Sequence, residues 1–176
     1  GGRYWLFAHN GDLKGFSGSS GSARPVGDTD SEAAFCHLLN EVLAVCPDGR
    51  PSQAQLLAVV TEVAREVSRH GTFNFLLSNG EWLLAHCSTQ LAWITRQSPF
   101  SVAHLADEDV SMDFSEHAAA GDRVAVIATA PLTDNEAWTI IAPQTLLLFR
   151  AGELVASAST ASAPESHSAA PSVATA

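Results

Sequence analysis

Basic residues are scarce in this chain of 176 residues. Nine Lys plus Arg stand against nineteen Asp plus Glu, for a formal net charge of −10, and Lys14 is the only lysine. A nucleic-acid surface needs a basic face to neutralise phosphates, so that class of partner is disfavoured. Cysteine is also sparse. Cys36, Cys46 and Cys87 are odd in number and widely spaced, with no CxxC pair and no Cys/His spacing of a zinc site. They read as reduced cysteines in the core of a cytoplasmic protein, and no metal is expected. No apolar run approaches the ~20 residues needed to span a bilayer, so no membrane partner is expected. No basic stretch precedes an apolar one at the N-terminus in the manner of a signal peptide.

What is present is a 46% hydrophobic composition, enough for one globular domain with a core. Arg3 to Ala8 is nearly continuously apolar and reads as a strand buried on both faces. Asn10-Gly11 then tolerates positive φ and predicts a tight turn. Because the sequence opens at Gly1 almost within that strand, the chain reads as the later part of a longer domain. Lys14 to Val26 is rich in Gly and Ser and predicts a mobile surface loop.

Thr29-Asp30-Ser31-Glu32 has the form of a capping box and opens a helix over 30–46, with Ala33, Phe35, Leu38, Leu39, Val42 and Leu43 at helical spacing. Ser52-Gln53-Ala54-Gln55 is a second box, opening a helix over 53–70 that Gly71 breaks. Strands are expected over 72–77 and 82–87 around an Asn79-Gly80 turn, then over 91–95. Residues 98–121 read as irregular and acidic, 123–129 as a central strand, and 146–150 with 154–157 as a terminal hairpin. From Ala158 the composition falls to Ala, Ser, Thr and Pro, which predicts a disordered tail over 158–176 and a folded domain over 1–157. The order is strand, two helices, then many strands, so the class is α+β.

Two short segments carry candidate chemistry. In His9-Asn10-Gly11, an Asn side-chain amide and a Gly backbone N–H can both point at one carbonyl oxygen, as an oxyanion hole requires. An Asn-Gly turn is equally an ordinary turn. Asp30 can bind the α-ammonium group of an amino acid, or it can simply favour the positive end of a helix dipole.

Taken together, the two segments resemble the class II glutamine amidotransferases. The resemblance continues through Gly71-Thr72-Phe73-Asn74-Phe75-Leu76-Leu77-Ser78-Asn79-Gly80, Ala85-His86-Cys87-Ser88-Thr89, Arg96-Gln97-Ser98-Pro99-Phe100 and the stretch from Val126 to Trp138, in that order. It is similar to the small standalone branch, the YafJ-like proteins and the amidohydrolase of ergothioneine biosynthesis, over residues 1–157. It implies a four-layer αββα sandwich of the N-terminal-nucleophile hydrolases, here lacking its N-terminal part. It further implies a glutamine or γ-glutamyl substrate and no cofactor; the resemblance leaves any protein partner open.

By position, Asn10 and Gly11 match the family's oxyanion pair. Asp30 matches the anchor of the substrate amino group, with His9 a support beside it. The family's nucleophile is an N-terminal cysteine whose own α-amine serves as base, which suits the chemistry because that amine has a pKa near 8. Residue 1 here is Gly, and none of the three cysteines carries a free α-amine. The resemblance therefore implies that the intact protein hydrolyses an amide through a thioester and that this chain lacks the attacking group. A non-catalytic amino-acid-binding module of the same fold is the alternative. His86 reads as a structural histidine and Arg96 as an ion-pair partner of the acidic 107–116 segment. Thr133-Asp134-Asn135-Glu136 reads as a recognition or lid loop whose acidity favours a cationic group.

Overall fold

A computed structural model describes residues 4–115 and 119–162. Its elements are β1 (Leu6–Leu13), α1 (Asp30–Val45), α2 (Gln53–Val67), β2 (Gly71–Ser78), β3 (Leu83–Cys87), β4 (Leu91–Gln97), β5 (Val102–His104), β6 (Ser111–Asp113), β7 (Arg123–Ala128), β8 (Thr139–Ile141), β9 (Thr145–Arg150) and β10 (Glu153–Ser159). All pairings are antiparallel. Five strands form one sheet in the order β1-β2-β3-β9-β10. Three form a second in the order β7-β4-β8, and β5 with β6 makes a small ribbon.

The layers follow from the alternation of side chains along the strands. Phe73, Phe75 and Leu77 of β2 point to one face of the large sheet, where Leu38, Val42, Leu56, Val60 and Ala64 of the helices fill the core. The opposite face supplies Ala85, Cys87, Leu147 and Phe149, which pack on Leu91, Trp93 and Ile127 of the small sheet. Helices, large sheet and small sheet are thus the first three layers of the expected αββα sandwich. No helix among the described residues is long and apolar enough to cross a membrane.

Both helices begin where the sequence places them. Ser52 and Gln55 complete a reciprocal capping box. Thr29 caps α1 by accepting from the Glu32 N–H, but Glu32 does not return the bond. Its carboxylate reaches further back and accepts from Val26 N–H and Gly27 N–H, each at 2.8 Å. The α-helical part of α2 ends at Val67, and a 3₁₀ turn covers Ser68–His70.

Four expectations are corrected. First, Asn10-Gly11 is not a turn. All eight residues of β1 pair with β2, from Leu6 opposite Ser78 to Leu13 opposite Gly71, so the strand continues through the site and turns at Lys14-Gly15. Second, β1 is not buried on both faces. Among the described residues it lies at the edge of its sheet, with Phe7 stacked on Phe35 of α1 while Leu6, and Tyr4 just before the strand, are exposed. Third, the 14–26 loop is pinned to α1. The buried His37 binds Ser19 through its Nδ1. Asn40 accepts from Ala23 N–H and donates to Ser19 and Ala23 carbonyls. Composition showed the glycines and serines of the loop but not the two polar side chains waiting on the helix. Fourth, β4 and not β7 is the central strand of the small sheet.

The strand β10 runs to Ser159, two residues past the expected hairpin, with a bulge between Leu154 and Ala156. Thr160 beyond it is buried. The expected tail over 163–176 lies outside the described residues.

Candidate functional site

The site is built on β1. Asn10 stands opposite Asn74 of β2, and Gly11 opposite Phe73. Antiparallel residues alternate between pairs that exchange both backbone bonds and pairs that exchange none. Phe73 turns both its backbone groups toward β3. Its N–H donates to Ser88 Oγ at 2.8 Å, and its carbonyl accepts from His86 Nδ1 at 2.6 Å. Gly11 is therefore in a non-bonded pair, and its N–H points away from β2, to the side of β1 that no described strand pairs. Two residues on, the Leu13 N–H points to the same edge and donates to Asp30 Oδ2 at 2.8 Å. The two positions are about 6.7 Å apart by strand rise. The fold thus brings the Gly11 N–H and the Asp30 carboxylate onto one edge.

Asp30 is the first residue of α1 and is half-buried. Its pKa is held below the ordinary carboxylate value, chiefly by the Leu13 N–H and further by Ser31 N–H, with burial opposing. It is therefore an anion at neutral pH. It has a structural task as well as any binding task, since it ties the end of β1 to the start of α1.

His9 points the other way, into the helix layer. Its ring lies edge-on to Phe73 at 5.3 Å. Nε2 donates to the Thr72 carbonyl at 3.1 Å, because a carbonyl can only accept, and Nδ1 bonds Ser31 Oγ at 2.8 Å. Both ring nitrogens are engaged within the fold. Glycine at position 11 has its reason here: a Cβ would strike the Thr72 carbonyl and His9 Nε2. The space a Cβ would need is taken by the Thr72 carbonyl and the His9 bond to it.

Asn10 projects from the opposite face into a cleft between the two sheets. The cleft has a volume of about 170 Å³ and is walled by Ala8, Leu76, Leu91, Ile127 and Asn74 among others. Asn10 itself is exposed. Sequence reasoning passed over Asn74 as a site residue, although a single Asn between Phe73 and Phe75 in a strand was the available signal.

The three cysteines lie elsewhere. Cys36 and Cys87 are buried, and burial raises both thiols above their ordinary pKa. The Cys46 thiol donates to Asp48 and is raised by that bond. None is poised as a thiolate. Among the described residues no three His, Cys, Asp or Glu side chains are placed to hold a metal ion.

His86 is fully buried. Burial drives its pKa down to about 4, against the bond to the Phe73 carbonyl, and its Nε2 accepts from Thr160 Oγ1 at 2.9 Å. It is a neutral structural residue, as the sequence suggests. Arg96 is corrected. Its partner is Glu136 rather than a carboxylate of the 107–116 segment, with Nε 2.8 Å from Oε1, and its guanidinium lies over the Phe114 ring. Burial alone would raise the Glu136 pKa, but bonds from Arg96 and Thr133 hold it below the ordinary value. The 133–136 loop is likewise no free acidic lid. Asp134 bonds His104, Asn135 bonds backbone groups of Val102 and His104, and Thr133 is buried against Glu136 and Trp138.

The sequence profile of the class-II glutamine amidotransferases matches residues 1–173. A protein of Haemophilus influenzae named "Putative glutamine amidotransferase" is 45% identical over 156 residues, covering 88% of this chain and 53% of the relative. "Putative glutamine amidotransferase YafJ" of Escherichia coli is 47% identical over 155 residues, covering 88% of this chain and 61% of the relative. The crystal structure of a predicted glutamine amidotransferase from Pseudomonas aeruginosa superposes with a TM-score of 0.77 at 46% identity, covering 88% of this chain and 60% of that one. The chain spans little more than half the length of the curated relatives it matches.

Proposed function

The chain belongs to the class-II glutamine amidotransferases, and from that premise we propose that it carries the amide-polarising and amino-group-binding half of a glutamine or γ-glutamyl amidohydrolase site. In this reading a thiolate from outside these 176 residues adds to the side-chain amide carbon. The carbonyl electron pair moves to oxygen, where the Asn10 side-chain amide and the Gly11 N–H hold it. Collapse with protonation of the leaving nitrogen releases ammonia or an amine and leaves a thioester, which water hydrolyses to the free acid. The family's base is the α-amine of the N-terminal cysteine, acting directly or through water. Asp30 holds the substrate α-ammonium, and His9 braces both segments through Thr72 and Ser31.

The observation that carries this reading is the shared edge: the Gly11 N–H points to the same side of β1 as the Leu13 N–H, about 6.7 Å further along the strand, and Asp30 Oδ2 accepts from the Leu13 N–H. That strand spacing is of the order of an amino acid whose side-chain amide and α-ammonium lie at opposite ends of a short aliphatic chain. Asp30 has the negative charge for the second group, and Asn10 lies at the cleft mouth for the first.

A second reading, a non-catalytic amino-acid-binding module, keeps the same contacts and lacks the chemistry. It is favoured by the burial or raised pKa of all three cysteines. The test is glutamine hydrolysis by the longer protein, with its N-terminal cysteine changed to Ala as control. Release of glutamate by the unmutated protein alone supports the enzyme. Glutamine binding without release in either protein supports the binding module.

A further inference from the structure

The geometry points to Asn74 as the positioning residue of the oxyanion site, through the peptide plane that joins Asn10 to Gly11. This rests on the reading above. The Asn10 carbonyl and the Gly11 N–H belong to one planar trans peptide and point in opposite directions. Asn74 Nδ2 donates to the carbonyl end at 3.3 Å. The N–H end is the proposed oxyanion donor. Glycine offers the least intrinsic resistance to rotation of its flanking peptide planes. β1 is also an edge strand, with no second neighbour among the described residues. Asn10 and Asn74 form the hydrogen-bonded register pair, so the side-chain amide is a second donor on a carbonyl that already faces β2. This clamp steadies the direction of the Gly11 N–H beyond what the ladder bond does, and it polarises that N–H through the shared amide.

The clamp is itself held in place. Asn74 is buried and uses its whole hydrogen-bonding capacity. Its second Nδ2 bond goes to Thr89 Oγ1 at 2.8 Å. Its Oδ1 accepts from Ser88 N–H at 2.9 Å and from Thr89 N–H at 3.1 Å, with Ser88 Oγ at 3.4 Å. The β3–β4 turn thus fixes the orientation of the Asn74 amide, and the amide fixes the peptide. Nδ2 must be the donor toward Asn10, because the two backbone N–H groups of the turn demand an acceptor at the other position. Asn74 does not touch substrate. It acts through Gly11.

Two sets of variants in the longer protein test this. Asn74→Asp keeps the oxygen that accepts from the turn and puts an acceptor where Nδ2 was. It should lower kcat for glutamine by about 10–100-fold, short of outright loss of an oxyanion donor, with KM changed by less than about twofold. Thr89→Val removes only the second anchor of Nδ2 at an exposed position. It should lower kcat by about 3–10-fold, and Thr89→Ser should restore it.

Unchanged kcat in both Asn74→Asp and Thr89→Val overturns the proposal. So does a fall in activity that tracks the melting temperature and is not restored by Ser. If Asn74→Asp does not fold, the Thr89 pair decides. If the unmutated protein hydrolyses neither glutamine nor a γ-glutamyl amide, the functional reading fails separately. Hydrogen exchange over residues 8–13 then decides: faster exchange there in Thr89→Val alone upholds the clamp, and equal exchange removes it.

Discussion

Lowering the pH from 6.5 to 4.5 should destabilise this fold through one residue, His86. It is fully buried, its Nδ1 donates to the Phe73 carbonyl, and its Nε2 accepts from Thr160. That arrangement needs a neutral ring, since a protonated Nε2 cannot accept. Its pKa falls from 6.5 in the unfolded chain to about 4 in the fold. The folded state therefore binds fewer protons between those values. The contribution is fully present above 6.5 and is lost as pH falls toward 4. A gap of this size corresponds to about 3 kcal/mol in all, of which about 2 kcal/mol is lost between pH 6.5 and 4.5. The lowered carboxylates Asp30, Asp48 and Asp113, with unfolded values of 3.8, and Glu32 and Glu136, with 4.5, give up most of their contributions below this window, and what they lose within it is common to wild type and variant. His104, raised first by its bond to Asp134, contributes fully below 6.5 and loses that contribution only at higher pH. Urea unfolding at pH 6.5, 5.5 and 4.5 should show the wild type losing about 2 kcal/mol more than His86→Gln, which cannot titrate. Equal pH dependence in the two proteins would refute the reasoning.

Asn10→Ala in the longer protein should lower kcat for glutamine hydrolysis by about 10²–10³, and unchanged turnover in a steady-state assay removes its oxyanion role. Asp30→Asn keeps an oxygen for the Leu13 N–H but loses the charge and turns an NH2 toward the Ser31 N–H, so KM should rise about tenfold or more, beyond what the fall in melting temperature accounts for. A melting temperature that falls in step with activity would reduce Asp30 to a structural tie. Arg96→Met leaves the nearly buried Glu136 without its cation and should cost about 3 kcal/mol in denaturant unfolding. A loss below 1 kcal/mol would show that Thr133 alone satisfies the carboxylate.

Much of the architecture was legible in the sequence because its signals are local. The Ser52 capping box, the Asn79-Gly80 turn and the helical spacing after Asp30 each involve residues within one or two turns of one another, and each appears where expected. The readings that failed concern partners distant in sequence. Asn10-Gly11 is a fair turn signal, but β2 supplies eight pairing residues about sixty to seventy positions later and extends the strand through it. The loop from Lys14 is held by His37 and Asn40 of α1, seventeen or more positions further along the chain. Arg96 found Glu136 forty residues away because β4 ends beside the loop that carries it, while the nearer acidic run in the sequence points elsewhere. The candidate site was legible as residue types. The directions in which those residues point were not, because direction depends on register.

Register also explains how three consecutive residues serve three purposes. A tight turn at Asn10-Gly11 would leave the orientation of its amide groups to the loop alone. In a strand, alternation sends the His9 side chain into the helix layer, the Asn10 side chain into the inter-sheet cleft, and the Gly11 N–H to the open edge. Each direction is then fixed by something different: His9 by Thr72 and Ser31, the Asn10 carbonyl by Asn74, and the strand's end by Asp30 on the Leu13 N–H. A one-residue slip of β1 against β2 would exchange every one of these directions at once. The close approach of Gly11 to Thr72 and His9 guards against that slip, because a residue with a Cβ at this position clashes with the Thr72 carbonyl. Glycine at position 11 is therefore a register lock as much as the proposed donor, and a side chain there would disturb the cleft, the edge and the helix layer together.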